Sequence, residues 1–110
     1  MPNVMADRRD APRYSLVLVA EIMEIGTGTK TSAQTSDISR IGCYVDTLNP
    51  APIGARIRLR LLRGEDSFET EARVVYTSPK LGMGLRFLEQ VGDGQLALLD
   101  GWLDEAAINP

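Results

Sequence analysis

Two short polar clusters hold the side chains of this sequence that are best suited to chemistry. The first cluster, residues 8–13, lies just before the first apolar run and contains Arg8, Arg9 and Arg13. Each guanidinium presents a planar fork of donors that matches phosphate oxygens or the O6/N7 edge of guanine, and it also stacks on bases. The cluster therefore predicts binding of an anionic purine ligand, and a guanine nucleotide fits these donors well.

The second cluster, residues 37–42, follows the second extended segment and brings groups of the complementary kind. The Asp37 carboxylate accepts hydrogen bonds from the amino or imino edge of a base, and Ser39 supplies a small hydroxyl. Gly42 lets the backbone approach a ligand closely. The first cluster is thus predicted to bind a nucleotide, and the second cluster is predicted to recognise its base.

Each cluster also has a purely structural interpretation. Residues 8–13 alone are typical of a solvated basic tail, and Asp37 with Ser39 alone is typical of an Asx or serine turn between strands. A turn and a binding role are compatible, so both stay open for the second cluster. The presence of the two clusters in one chain favours the functional interpretation.

Composition limits the classes of function. A chain of 110 residues is enough for one domain, and a net charge of −3 argues against a protein that coats DNA or anionic membranes. There is no histidine, so the usual general base and the commonest metal ligand are missing, and one cysteine cannot build a zinc site. We therefore expect a protein that is not an enzyme and that needs neither a metal ion nor a cofactor.

Nucleic acids and membranes are also unexpected partners. An OB-like oligonucleotide binder would need exposed aromatic side chains along a basic groove, whereas the few aromatic residues here stand mostly at core-like positions. Residues 1–10 lack the apolar stretch of a secretory signal, and residues 16–20 are far shorter than the roughly 20 apolar residues that span a bilayer. Cys43 is interpreted as a small buried side chain. The expected location is the cytoplasm.

Hydrophobic periodicity predicts the elements that position the two clusters. Alternation is clearest in residues 56–61, where three arginines face solvent and the apolar side chains face a core. The threonine-rich segment 29–36 is predicted to run along an edge or to line a solvated surface. The other predicted strands are residues 14–25, 43–47, 68–76 and 83–88. A terminal helix is predicted from apolar residues at helical spacing: Leu96, Leu99, Trp102 and Leu103.

These elements predict a mainly β fold. Six antiparallel strands followed by one helix are typical of a six-stranded antiparallel β-barrel with a C-terminal α-helix, because closure removes the sheet edges that invite aggregation. We expect one domain over residues 8–107, preceded by a flexible N-terminus at residues 1–7.

In this order and on this strand pattern, the two clusters resemble the PilZ domain family, whose members are receptors for the bacterial second messenger cyclic di-GMP. The first motif of the family, Arg-x-x-x-Arg before the first strand, is matched by Arg9 and Arg13. Its second motif, Asp/Asn-x-Ser-x-x-Gly between the second and third strands, is matched by Asp37, Ser39 and Gly42. The resemblance covers roughly residues 8–102.

The resemblance implies roles for the matched residues. Arg9 and Arg13 would contact phosphate and guanine, and Asp37 and Ser39 would meet a guanine from the barrel surface, while Gly42 would shape the turn. No residue of either motif is missing, which favours a nucleotide receptor over the alternative, a PilZ-like protein-interaction module that does not bind nucleotide.

The resemblance also implies how such a receptor would signal. Arg8, just before the first motif, would stack on a guanine and favour a pair of intercalated ligand molecules. Binding of cyclic di-GMP would order residues 8–13 against the barrel and so change the surface that a partner meets. The expected output is therefore contact with an effector protein, which the sequence leaves unidentified.

Overall fold

The computed structural model describes residues 12–88 and 93–108. The predicted flexible segment 1–7 and the predicted ligand residues Arg8 and Arg9 lie outside the described residues. In chain order, the described elements are β1 (Tyr14–Ser15), β2 (Val19–Glu24), β3 (Lys30–Ile38), β4 (Gly42–Asp46), β5 (Arg56–Arg63), β6 (Asp66–Ser78), β7 (Gly82–Phe87) and α1 (Asp93–Ile108). Within these ranges, no helix combines the length and the apolar character of a membrane-spanning segment.

Six of the strands close into an antiparallel barrel. The hydrogen-bonded order is β3, β2, β5, β6, β7 and β4, and β4 returns to pair with β3. This confirms the predicted six-stranded barrel with a C-terminal helix. The expected edge position of residues 29–36 is wrong, because β3 pairs with β2 on one side and with β4 on the other. Their alternative placement on a solvated surface is confirmed, since most of the first half of β3 is exposed.

The barrel is filled by the inward side chains of alternating strands. In β5, Ile57, Leu59 and Leu61 are fully buried while the intervening arginines are exposed, as the sequence predicts. Phe68 and Phe87 meet inside with their ring centroids 5.2 Å apart. The core is thus one hydrophobic cluster to which all six strands contribute buried side chains.

Helix α1 covers part of this core from outside. It packs against β1 and β6, and its buried residues are Leu99, Trp102 and Leu103, at the spacing that predicts the helix. Polar contacts also hold it: the Gln95 side chain accepts a hydrogen bond from the Glu69 backbone N–H at 2.5 Å. Because a hydrogen bond contributes only about 0.5–1.5 kcal/mol, apolar burial is the main force that holds α1 on the barrel.

One predicted strand is interrupted. The sequence predicts a continuous strand over residues 14–25, but the structure breaks it into β1 and β2. At the break, the buried Thr35 hydroxyl accepts a hydrogen bond from the Leu18 N–H at 2.9 Å and donates one to the Leu16 carbonyl at 2.7 Å. A side chain of β3 therefore takes the place of a backbone partner for two backbone groups, and the strand is interrupted between β1 and β2.

A valine at position 35 is therefore expected to destabilise the fold. Thr35→Val preserves the side-chain volume but leaves the Leu18 donor and the Leu16 acceptor without partners, which costs on the order of 2–3 kcal/mol. Thr35→Ser keeps both hydrogen bonds and loses one methyl group, worth about 1 kcal/mol. Urea denaturation of the two variants makes the comparison. If the serine variant were the less stable of the two, the hydroxyl would not have this role.

Candidate functional site

The first component of the candidate site is an ion pair between the two predicted clusters. Strand β1 pairs Ser15 with Asp37 in register, so Arg13, just before β1, lies over the end of β3. Its Nη2 and Nε atoms donate to Asp37 Oδ1 at 2.7 and 3.1 Å. This hydrogen bond raises the pKa of Arg13 above its ordinary value, although partial burial acts in the opposite direction. Since the Arg13 side chain is still 52% exposed and that of Asp37 33% exposed, both groups remain open to a ligand.

The second component is the loop between β3 and β4. Ser39 is buried, its hydroxyl accepts a hydrogen bond from the Ile41 N–H at 3.2 Å, and its backbone N–H donates to the Gly42 carbonyl at 2.8 Å. These contacts form a serine turn, one of the interpretations that the sequence left open. The turn fixes the backbone beside Asp37, whereas the role of the Ser39 hydroxyl toward a ligand stays a prediction.

Gly42 is required by the sheet itself. A Cβ atom at this position would lie 2.1 Å from the Leu85 carbonyl oxygen on β7, far inside any real contact. The absence of a side chain therefore lets β4 approach β7 closely where the loop enters the barrel. The predicted close approach to a ligand is a separate role, which stays a prediction.

A groove of about 430 Å³ connects these parts. Arg13, Ser39 and Gly42 lie along it, together with Tyr76 and Arg86. Its remaining lining residues are Ile41, Cys43, Val75, Gly84 and Leu85. Sites for small molecules commonly occupy about 300–1,000 Å³ and combine apolar walls with a few polar groups. The groove meets both conditions and contains residues from both predicted clusters.

A slightly larger depression, of about 480 Å³, lies elsewhere on the barrel. Its charged lining includes Glu21, Arg58 and Arg60. Like Arg13, these arginines have carboxylate partners: Arg58 lies 3.7 Å from Glu71, and Arg60 lies 3.5 Å from Glu21. None of the predicted ligand residues lines it, so the groove beside Arg13 is the better candidate on chemical grounds.

Tyr76 is a groove residue that the sequence analysis missed. The pairing of β6 with β7 shifts register between Val74 and Tyr76, and both Val75 and Tyr76 consequently lie on the outer surface. The Tyr76 ring covers Gly84, where a Cβ atom would lie 2.2 Å from the ring. The aromatic residues are predicted to stand mostly at core-like positions, but Tyr76 is 42% exposed, and its ring offers a flat face on which a base can stack.

Arg86 is a second groove residue without an assigned role in the sequence, and Arg40 makes a contact outside the groove that the sequence did not indicate. Arg86 lines the groove from β7, where the alternation of the strand turns it outward. Arg40, inside the second motif, points away from the pair at Asp37 and bonds Asp100 of α1, with Nε 2.8 Å from Oδ1. The signal available in the sequence was the alternation of residues 83–88, which turns position 86 outward. The Arg40 pair joins residues 60 positions apart and had no local signal.

Cys43 lines the groove, but its thiol is buried. Desolvation raises the pKa of the Cys43 thiol from 9.0 to about 12, and the charge of Asp37 adds to the increase. Between about pH 9 and about pH 12, the unfolded chain therefore loses this proton while the folded protein keeps it. The free energy of unfolding falls as the pH rises through that window, by up to about 1.4 kcal/mol per pH unit.

The variant Cys43→Ala is expected to remove that slope. Denaturation curves measured from about pH 8 to about pH 11 should show the stability of the wild type falling more steeply than that of the variant. Other groups titrate equally in both proteins, so the difference between the two slopes isolates the thiol. Parallel slopes would contradict the burial of an un-ionised thiol at position 43.

The chain resembles known proteins in sequence and in fold. The family model described as PilZ domain matches residues 7–105. No curated protein matches the chain. Among solved structures, the PilZ domain of CeSA from a cellulose-synthesizing bacterium is similar with a TM-score of 0.69 at 16% sequence identity, with 84% of this chain and 98% of that chain covered.

Two further structures are similar. The inhibitor of motility MotI (DgrA) of Bacillus subtilis matches with a TM-score of 0.77 and 23% identity over 93% of this chain and 52% of that chain, so this chain spans about half of MotI. The PilZ domain of YcgR from Escherichia coli, solved with c-di-GMP, matches with a TM-score of 0.74 and 16% identity over 91% of this chain and 92% of that chain. At such identities the likeness establishes the shared fold.

Proposed function

The chain belongs to the PilZ domain family, and from that premise we propose that it is a receptor for cyclic di-GMP that acts as a sensor on a partner protein. The observation that carries the proposal is the contact between Arg13 and Asp37, one residue from each motif, at the rim of a groove of nucleotide size. The solved complex of the YcgR domain with c-di-GMP supports the same ligand class.

The geometry suits a ligand that carries both phosphate and guanine. In the free protein the Asp37 carboxylate neutralises Arg13, and a bound phosphate takes over that guanidinium with charge-assisted hydrogen bonds. Asp37 is then free to accept hydrogen bonds from the N1 and N2 edge of a guanine. The exposed Tyr76 ring provides a surface on which a second purine stacks. Cyclic di-GMP contains two phosphates and two guanines, which is the complement that these groups require.

The segment before β1 transmits ligand binding to a partner in this proposal. Arg13 is already held by Asp37, and on the proposed ligand Arg8 and Arg9 join it in an ordered arm when their guanidinium groups engage phosphate. The ordered arm changes the surface around β1, against which α1 also packs. A partner that recognises only this ordered surface would respond to the ligand, and the protein would act without a reaction of its own.

Calorimetric titration tests this proposal most directly. The described groups predict micromolar affinity for cyclic di-GMP, which corresponds to about 8 kcal/mol of binding free energy, and clearly weaker binding of the linear dinucleotide and of GTP. The molar ratio from the same titration gives the number of ligand molecules bound. Absence of binding to cyclic di-GMP in this titration would overturn the proposal and favour the protein-interaction module.

A further inference from the structure

Two arginines outside both motifs face each other next to the groove. Arg73 on β6 and Arg86 on β7 are direct cross-strand partners, and both side chains point outward. On its other side Arg86 pairs with Gly42 of the second motif. The candidate site is therefore continued across the sheet by Arg86 on β7 and then by Arg73 on β6.

These two arginines differ from the others that the structure describes. Six arginines have a carboxylate within 4.0 Å, namely Arg13, Arg40, Arg56, Arg58, Arg60 and Arg63. Across residues 12–88 and 93–108, neither Arg73 nor Arg86 forms such a pair. Like charges placed directly opposite each other on a sheet are destabilising. Arg73 also lies opposite Arg56 on β5, but the charge of Arg56 is paired with Glu71. Among the described residues, Arg73 and Arg86 are therefore the one cross-strand pair of arginines in which neither side chain has a carboxylate within 4.0 Å, and Arg86 lines the groove.

We propose that Arg73 and Arg86 together bind a phosphate group and form a second anion position in the site, separate from Arg13. A phosphate between the two side chains replaces their repulsion with charge-assisted hydrogen bonds to both guanidinium forks. This inference rests on the proposed function, in which the ligand carries two phosphates on opposite sides of its ring. One phosphate is held by Arg13, and the other is held by the pair on β6 and β7.

The test compares Arg73→Gln and Arg86→Gln with the control Arg60→Gln. Arg60 lies on the outer face of β5 and is as exposed as Arg13, but it pairs with Glu21 and Glu69 away from the groove. Without ligand, both test variants should melt at a higher temperature than the wild type, because each removes the repulsion, whereas the control should not. Each test variant should also bind cyclic di-GMP about tenfold more weakly, and the control should bind like the wild type.

A second probe separates this inference from the proposed function. Sodium pyrophosphate should raise the melting temperature of the wild type and of Arg13→Ala, and should lose most of that effect in Arg73→Gln. If cyclic di-GMP fails to bind while this pyrophosphate effect is found, the proposed function fails and the anion position stands. If Arg73→Gln and Arg86→Gln bind cyclic di-GMP as tightly as the wild type, the second anion position is overturned and the proposed function stands.

Discussion

Replacing Arg13 with alanine is expected to weaken cyclic di-GMP binding by about tenfold to a hundredfold and to leave the fold intact. A charge-assisted hydrogen bond contributes about 1.5–3 kcal/mol, and this range corresponds to that loss of affinity. In the free protein, Arg13 contributes only a half-exposed ion pair with Asp37, and such pairs contribute about 0–1 kcal/mol to stability. The loss of binding should therefore greatly exceed the loss of stability, and calorimetry with a matched melting curve measures both.

Two further variants make the Arg13 experiment specific. Arg13→Lys keeps the positive charge but loses the planar fork, so its affinity should fall between those of the wild type and the alanine variant. Arg60→Ala removes an arginine of similar exposure that pairs with Glu21 outside the groove, and its affinity should stay unchanged. Equal weakening in Arg13→Ala and Arg60→Ala would mean that general positive charge, and not the position of Arg13, attracts the ligand.

The sequence predicted the barrel because its strands carry local signals. The alternation in residues 56–61 requires a strand with one solvent-exposed face and one buried face. The helical spacing of Leu99 and Trp102 requires a helix whose apolar face packs against another element. The break between β1 and β2 had no such signal, because the apolar alternation continues through residues 16–18. The interruption depends on the hydroxyl of Thr35, which reaches the break only after β3 has folded back.

The candidate site was predictable only where its residues lie in one of the two short motifs. Asp37, Ser39 and Gly42 belong to one short motif, and Arg13 precedes the first strand. Tyr76 enters the groove because a register shift turns two consecutive residues of β6 outward, and strict alternation cannot predict this. The facing of Arg73 and Arg86 likewise follows from cross-strand register, which is set by long-range pairing and not by local composition.

Replacing Gly42 with alanine is expected to cause one of the largest losses of stability that the addition of a single methyl group can cause in this protein. The new methyl group would lie 2.1 Å from the Leu85 carbonyl oxygen, and because that atom is backbone, the β4–β7 ladder itself has to move. Overpacking of this kind costs about 3 kcal/mol, the upper end of the usual range. Urea denaturation measures this loss, and it should appear without any ligand.

The matched control for Gly42→Ala is the same substitution in α1. Gly101 is exposed, and a Cβ atom there would meet nothing within 4 Å. Because glycine is a poor helix former, Gly101→Ala should stabilise the protein by about 0.5–1 kcal/mol. Opposite signs for the two variants would assign Gly42 to the contact between strands, since both substitutions add the same methyl group. If Gly42→Ala were as stable as the wild type but bound cyclic di-GMP weakly, Gly42 would be needed for ligand approach and not for the sheet.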